Sequence, residues 1–390
     1  MAKSEAYINH DVLQWAREHA RYDVDAAAHK AGVPVERYMQ WEEPGEVYPT
    51  MRQARLLAKA FNRPLSFFYL ESPPEEEELL AEMRRLPGAA PGQESPELAR
   101  QVHLAVERRL FALEVLNELG ERPTPFTMSA SLSDDPEVIS RYVRGFLNID
   151  FNVHETFKDK PEALRRWRSA FENAGVIVYQ VPYVDLSEMR GFAISKNPLP
   201  IIAYNSSETD AGRVFTLLHE FGHLLLGETV IHSSSVLFAP EDATKEGFCN
   251  RFAAAFLIPE EELLNQPLVI EKGSSATWLD KEVDTLAKLF KVSKGVMIRR
   301  LFRFEKVSKA SYRTLKKEYD SYRGTKRQGK GGNAHRNRLV HRGRLLSRLA
   351  FRGFYDNVLT ERDLWAFFNM RPDKLGGIER ELFGETYHFQ

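Results

Sequence analysis

The stretch GRVFTLLHEFGHLLLG, residues 212–227, decides how the central part of this chain is expected to fold. Its dense leucine and phenylalanine content predicts a buried helix. His219 and His223 are four residues apart, so both imidazoles project from one face of that helix and can reach a single metal ion. With Glu220 they form the pattern HExxH, which predicts a metal-binding helix.

A zinc site built on two histidines needs one more protein ligand. Glu246 follows His223 by 23 residues in the string EGFCNRFAAAFLIP, which predicts the next helix. A carboxylate there would complete a His2Glu site with an open fourth position for water. Glu228, Glu241 and Asp242 are alternative third ligands because they lie nearby in the sequence.

Glu220 is the expected catalytic residue. Zn²⁺, or Mn²⁺ in its place, would polarise a scissile carbonyl and activate water, while Glu220 takes up the proton and passes it to the leaving amine. The predicted reaction is therefore peptide hydrolysis. The alternative is that His219 and His223 are ordinary polar residues of a helix.

The composition is that of a soluble globular protein, with 43% hydrophobic and 28% charged residues and a mean hydropathy of -0.42. A chain of 390 residues predicts two or three domains. It lacks a run of about 20 apolar residues, and its start, MAKSEAYINHD, lacks the apolar core of a secretory signal, so we expect a cytoplasmic protein without a membrane segment. The single Cys249 excludes an intramolecular disulfide and a CxxC zinc site.

The expected fold class is α+β. The strings VIVYQVPY, GFAI and LPIIAYN predict the strands of a small sheet beside the HExxH helix. The predicted order is an all-α region at 1–70, a linker rich in proline and acidic residues at 71–96, a zincin-like metallopeptidase domain at 97–306, and a basic helical region at 307–390 with a flexible loop at 323–335.

Basic residues are concentrated near the carboxyl end, although the net charge of the whole chain is -1. Residues 299–352 hold 18 Lys and Arg against three acidic residues, a local net charge of +15. Lys326, Arg327 and Lys330 are candidate contacts to nucleic acid or to an acidic partner. The alternative is a charged face that only solvent contacts.

The N-terminal region reads as helix, tight turn, helix. Asp23 can cap the first helix, Gly32 ends it, and Pro34 precedes the second. Residues 26–70 resemble the repressor-like helix-turn-helix domains of the XRE/Cro type, which makes Arg37 and Gln40 candidate contacts to DNA or a partner. Residues 1–70 carry nine basic and nine acidic side chains, however, whereas DNA binding usually shows a basic face. A matching helix-turn-helix repressor, or self-association, is the alternative.

The strings GRVFTLLHEFGHLLLG and EGFCNRFAAAFLIP, with GFAI and LPIIAYN before them, resemble the ImmA/IrrE family of metallopeptidases over roughly residues 160–305. The resemblance implies that His219, His223 and Glu246 bind the metal and that Glu220 is the catalytic acid and base. Cys249 stands where alanine is usual in the family.

Three further residues lie in or near the matching strings. Asn205 and Arg213 match the family before HExxH, and helix capping and surface pairing are their favoured roles. His232 is expected in a serine-rich loop, where it could stabilise an oxyanion or simply be solvated.

Characterised members of the family cleave helix-turn-helix repressors. The resemblance thus implies an endopeptidase that cleaves a repressor or antitoxin-like partner and so derepresses genes of a stress response or a mobile element. One alternative is a DNA-binding transcription regulator whose metal domain senses or scaffolds without hydrolysis. Another is a partner-controlled protease of a toxin and antitoxin or phage-related operon.

Overall fold

The structure is a computed structural model that describes residues 4–74, 84–85, 94–232, 244–322 and 333–384. The chain divides into two compact units, Met1–Glu107 and Arg108–Gln390. The predicted α+β class is confirmed, with a small sheet in the central region and helices toward both ends of the chain. The borders expected at residues 70, 96 and 306 stay predictions.

The first unit is built mainly from short helices. Their bounds are His10–His19, Val24–Ala31, Val35–Glu42, Met51–Ala60 and the 3-10 turn Leu65–Tyr69, followed by a two-residue strand, Arg84–Arg85, and the start of the helix Pro96–Glu118. Trp41, Tyr38 and Phe68 are almost completely buried in its core.

The expected helix boundaries of the first unit are confirmed in detail. The Asp23 side chain accepts a hydrogen bond from the amide of Ala26, and Gly32 ends the helix in the left-handed region at φ 70°. Pro34 then precedes the next helix, whose first residue is Val35. These contacts follow from the local sequence alone.

The second unit contains a small mixed sheet of four strands. They are β1 (Ile177–Val181), β2 (Gly191–Ile194), β3 (Ile201–Asn205) and β4 (Val230–His232), in the spatial order β4-β2-β3-β1. β1 runs parallel to β3, and β2 runs antiparallel to both β3 and β4. The strands expected from VIVYQVPY, GFAI and LPIIAYN are confirmed, and β4 is an addition.

Helices surround this sheet. Those of the second unit after the long helix Pro96–Glu118 are Pro136–Phe146, Phe151–Glu155, Lys160–Asn173, Asp210–Leu225, Lys245–Leu257, Glu260–Leu264, Pro267–Lys272, Asp280–Leu289, Lys294–Arg303, Lys309–Tyr322, Ala334–Arg342, Arg344–Tyr355, Glu361–Phe368 and Leu375–Phe383, with a 3-10 turn at Pro372–Lys374. Within the described ranges, none of the helices has the length and apolar character needed to span a membrane.

The helix Asp210–Leu225, here called the HExxH helix, is central to the second unit. Every residue from Val214 to Leu225 is buried, because the helix packs against β2, β3 and the helix Lys160–Asn173 on different sides. Phe221 stacks on Phe171 with ring centroids 4.3 Å apart. Such extensive burial fixes the side chains that this helix carries.

The helix Lys245–Leu257, here called the Glu246 helix, lies along the HExxH helix. The two approach closely at Gly222, where an added Cβ would lie 3.1 Å from the Cα, Cβ and Sγ atoms of Cys249. A glycine on one helix therefore makes room for the larger side chain on the other, which explains why the Cys249 thiol fits at this point.

The C-terminal helices of the second unit pack on strand β1. Gly343 approaches Val178 so closely that an added Cβ would lie 3.2 Å from its carbonyl oxygen. The buried carboxylate of Glu172 accepts hydrogen bonds from the backbone amides of Arg344 and Leu345, both at 3.1 Å. A carboxylate at the start of a helix stabilises the free amides there, so Glu172 attaches the start of the helix Arg344–Tyr355 to the helix Lys160–Asn173.

Candidate metal centre

Two helices bring three potential metal ligands together. The Nε2 atoms of His219 and His223 lie 3.1 Å apart, and the Glu246 carboxylate lies 3.3 Å from the former and 3.5 Å from the latter. One donor atom from each side chain falls within 4.8 Å of the other two. It is the one such group of histidine, cysteine or acidic residues within the described ranges.

Each imidazole is oriented through its other ring nitrogen. Nδ1 of His219 lies 3.0 Å from Oδ1 of Asn250, and Nδ1 of His223 lies 3.6 Å from a Glu228 oxygen. The other Glu228 oxygen accepts a hydrogen bond from Lys245. Outer partners of this kind fix the orientation and tautomer of metal-binding histidines. Both Nε2 atoms are thus directed toward Glu246.

Glu220 lies beside this group and is completely buried. Burial raises the pKa of Glu220 to about 8, the neighbouring His223 lowers it, and Glu246 raises it further. Among the described residues, neither of its carboxylate oxygens has a hydrogen-bond partner. A buried carboxyl group without a hydrogen-bond partner is costly to the fold, and such groups are found preferentially at functional sites.

Backbone packing holds Glu220 in place. An added Cβ at Gly191 would lie 2.7 Å from Oε1 of Glu220 and 2.7 Å from the Cγ2 atom of Thr216. Gly191 is the first residue of β2, opposite Tyr204 on β3. Only glycine leaves room here for the carboxylate to lie against the sheet.

The residues present fit a divalent metal ion. Two buried imidazoles and a partly buried carboxylate form the donor set that Zn²⁺ commonly takes, and a cation would favour the charged forms of Glu220 and Glu246. Burial disfavours the charged form of His223, but Cys249, Glu228 and Glu246 outweigh it and raise its pKa well above the usual value. The site therefore attracts positive charge, which either a proton or a metal ion can supply.

Cys249 is also buried next to this site, and burial raises the pKa of its thiol. A thiol with a raised pKa stays protonated at neutral pH and is a poor metal ligand. Its Sγ atom is not among the three clustered donors. The donor set is therefore made of nitrogen and oxygen.

Of the other carboxylates predicted as possible third ligands, the structure describes only Glu228. Glu228 faces Nδ1 of His223, on the side of the ring away from His219. Glu241 and Asp242 lie outside the described residues. Among the described carboxylates, Glu246 is thus the one that meets both Nε2 atoms.

Three other residues singled out in the sequence have structural positions. Asn205 is fully buried, and its amide donates to the carbonyl oxygens of Val184 and Met189. Arg213 donates to the carbonyl oxygen of Ser206 and pairs with Asp210 in the first turn of the HExxH helix. His232 ends β4 opposite Gly191, whereas the sequence had indicated a loop, because pairing with a distant strand decides its conformation.

The structure describes two of the five candidate DNA or partner contacts. Arg37 and Gln40 are exposed residues of the helix Val35–Glu42 and hydrogen-bond to each other at 3.1 Å. Lys326, Arg327 and Lys330 lie outside the described residues, as does most of the loop expected at 323–335. Their binding roles stay predictions.

Asn250 and Glu228 were not predicted from the sequence to orient the two histidines. A signal for Asn250 was present, since it follows Glu246 by four residues and therefore lies on the same face of its helix. No comparable signal existed for Glu228, which lies beyond the end of the HExxH helix and meets His223 only because the chain turns back after Gly227.

Comparison with known protein families finds a match to the segment that contains this metal centre. Residues 180–302 match the family model Peptidase_M78, described as an IrrE N-terminal-like domain. A search of curated proteins found no match. The matched segment contains the HExxH helix, β4 and the Glu246 helix and does not extend to the first unit. It supports the resemblance to the ImmA/IrrE family and a peptidase activity, which implies protein substrates, for this part of the chain.

Proposed function

We propose that this chain is a zinc-dependent endopeptidase in which His219, His223 and Glu246 bind the metal and Glu220 is the general base. The observation that carries the proposal is the convergence of both Nε2 atoms and the Glu246 carboxylate, with the buried carboxylate of Glu220 beside them. Manganese is the other metal that this donor set could accept.

The proposed chemistry divides between the metal and the protein. Zinc, when bound, is a Lewis acid that polarises the scissile carbonyl and makes water acidic enough to attack near neutral pH. An oxygen of Glu220 accepts the proton of the attacking water and later donates it to the leaving amine. Asn250 and Glu228 hold the imidazole rings while this happens.

The raised pKa of Glu220 suits this role. A general base works best when its pKa lies near the working pH, and burial moves the pKa of this carboxyl to about 8 in the metal-free protein. A nearby cation favours the charged carboxylate and would therefore lower that pKa toward neutrality. The residue can then exchange a proton with water in both directions.

We further propose that the substrate is a helix-turn-helix repressor or an antitoxin-like partner, whose cleavage derepresses genes of a stress response or mobile element. The similarity of residues 180–302 to the IrrE N-terminal-like domain supports this substrate class. Arg37 and Gln40 of the first unit, which are exposed, and Lys326, Arg327 and Lys330 of the basic stretch 299–352 are the residues we assign to recognition of that partner or of DNA.

The test is direct cleavage. The purified chain, loaded with zinc or with manganese, is incubated with repressor-like proteins encoded beside its gene, and fragment masses are determined. Defined fragments with the wild type and none with Glu220→Gln support the proposal. Intact substrates in every reaction, together with metal-dependent DNA binding, would instead favour a transcription regulator whose metal domain senses or scaffolds.

A further inference from the structure

An ion pair joins the two helices that carry the proposed metal ligands. Lys245 is the first residue of the Glu246 helix, and its Nζ atom donates to Oε1 of Glu228. Glu228 lies just past the carboxyl end of the HExxH helix. The contact therefore connects two segments that are 17 positions apart in the chain, directly beside the metal centre.

Helix preferences do not explain a lysine at this position. The free amides at the start of a helix carry partial positive charge, so a carboxylate is favoured there and an ammonium group is disfavoured. The Thr244 side chain already caps this helix, since it accepts a hydrogen bond from the amide of Gly247 at 3.0 Å. The side chain of Lys245 is 41% exposed and that of Glu228 only 10% exposed. The placement of Lys245 is thus accounted for by Glu228 and not by the helix that it begins.

The two oxygens of Glu228 have different partners. Gly227 turns the chain at φ 70°, and the Glu228 amide then donates to the carbonyl oxygen of His223 at 2.9 Å. This contact fixes the backbone, but a glutamate side chain has several rotatable bonds, so it does not by itself hold the carboxylate. Oε1 accepts from Lys245, and Oε2 lies 3.6 Å from Nδ1 of His223. Lys245 therefore holds the carboxylate in the orientation that faces the imidazole.

The charges of the centre also favour a cation at this point. If a divalent ion is bound, the ionised carboxylates of Glu220, Glu228 and Glu246 exceed its charge by one. Lys245 supplies one positive charge, and it does so at the one carboxylate of the three that is neither a proposed ligand nor the proposed base. A movement of Glu228 to the metal would break this partly buried ion pair and is disfavoured for that reason.

We propose that Lys245 is a positioning residue of the metal centre, which acts through Glu228 to keep Nε2 of His223 directed toward the metal. The inference rests on the proposed zinc site and adds to it a residue that is not itself a ligand. Without the ammonium group, the Glu228 carboxylate can turn away from Nδ1, and His223 loses the contact that orients its ring. Outer contacts of this kind contribute to metal affinity, so the affinity should fall.

The zinc affinity of the full-length chain, measured by competition with a chromophoric chelator, tests the proposal. We expect Lys245→Met and Glu228→Gln each to lower the affinity by about tenfold or more. Lys245→Arg keeps a positive charge and hydrogen-bond donors and should retain most of the affinity. Lys288→Met is the matched control, because it breaks another ion pair of the second unit, that with Asp284 at 2.7 Å, and should leave zinc binding unchanged.

Two further measurements separate positioning from a general effect on stability. The double variant Lys245→Met with Glu228→Gln should bind zinc no more weakly than Glu228→Gln alone, because Lys245 acts through Glu228. The visible absorption spectrum of the Co²⁺-loaded chain depends on the ligands and their geometry at the metal. It should change in Lys245→Met and return in Lys245→Arg, whereas a lysine that only stabilises the fold would leave the spectrum of the folded protein unchanged.

Three outcomes overturn the proposal. A zinc affinity of Lys245→Met equal to or above that of the wild type would show that Glu228 orients His223 without the lysine. A tenfold loss that recurs when Lys245→Met is added to Glu228→Gln would show that Lys245 acts by another route. If the wild-type chain binds no zinc, the proposed metal site fails and this inference fails with it. Circular dichroism of each variant confirms that weaker binding does not reflect lost folding.

Discussion

Nδ1 of His219 lies 3.0 Å from Oδ1 of Asn250, and Asn250 is four residues after Glu246 on the same helix. The asparagine oxygen can only accept, so Nδ1 of His219 must carry the proton, and the lone pair of Nε2 faces the Glu246 carboxylate. One helix therefore supplies both a proposed ligand and the residue that orients another.

Removal of this oxygen should weaken metal binding. We expect Asn250→Ala to lower the metal affinity by about 10- to 100-fold, because His219 loses the contact that fixes its tautomer and ring orientation. Competition with a chromophoric chelator measures the affinity. Asn250→Asp keeps an acceptor oxygen at this point and should retain most of the affinity. Equal affinity for zinc in wild type and Asn250→Ala would show that His219 is held by other contacts.

Gly191→Ala should reduce catalysis while the metal stays bound. The new methyl group would lie 2.7 Å from Oε1 of Glu220, so the carboxylate must move, and the three atoms nearest to that methyl group belong to Glu220, Thr216 and Ala203, none of which is a proposed metal ligand. A displacement of about 1 Å of a catalytic group can cost about 100-fold in rate.

The measurement combines kcat with metal content by mass spectrometry for the same preparations. The neighbouring Ala193→Gly is a control for a changed residue on the same strand, β2. Full activity in Gly191→Ala would mean that the strand leaves Glu220 more space than the structure indicates.

The local parts of the site were predictable from the sequence. Two histidines at i and i+4 share a helix face wherever the helix lies, and burial of that helix follows from the leucines around them. The strands β1 to β3 were likewise visible as short apolar runs between turn residues. In each case a pattern within about a dozen residues determined the outcome.

The remaining features depend on contacts between distant segments. Gly191 needs to be glycine only because β2 lies against Glu220, and β4 is a strand only because it pairs with β2. Arg144 donates to the carbonyl oxygen of Phe256, which lies 112 positions later in the chain. Such contacts are decided by packing, which one sequence does not display.

Limited proteolysis should cut the chain within residues 71–96. The sequence there is rich in proline, glycine and glutamate and offers few apolar side chains that could be protected by packing. The expected products, identified by mass spectrometry, are an N-terminal fragment ending in this segment and a larger C-terminal fragment. A single resistant fragment covering residues 1–150 would contradict this boundary.

The stability of the second unit should fall as the solution becomes mildly acidic. Burial lowers the pKa of His154 to about 3, and Arg144 and Lys291 act in the same direction. An unfolded histidine has a pKa of about 6.5, so below that pH the unfolded chain binds a proton that the folded chain does not. The free energy of unfolding therefore decreases between about pH 6.5 and pH 3, by up to about 1.4 kcal/mol per pH unit.

A variant without a titrating group isolates this effect. His154 packs among the rings of Phe151, Phe157 and Trp167, so leucine can occupy the position. Between pH 7 and pH 5 the wild type should lose about 2 kcal/mol more than His154→Leu in urea unfolding. The same loss in both proteins would assign the acid sensitivity to other groups.

The proposed mechanism makes different demands on Glu220 and on the three ligands. Glu220→Gln should keep the metal, because Glu220 is outside the donor set, yet lose cleavage by about 10²- to 10⁴-fold, because an amide cannot accept the proton from water. His219→Ala and Glu246→Ala should instead lower the metal content, and with it the stability that metal binding contributes. Metal content and fragment formation are measured for all three variants with one substrate.

Full cleavage by Glu220→Gln would exclude this residue as the base. An unchanged metal content in Glu246→Ala would mean that another carboxylate is the third ligand. Glu228, which already lies near Nδ1 of His223, would then be the first residue to mutate.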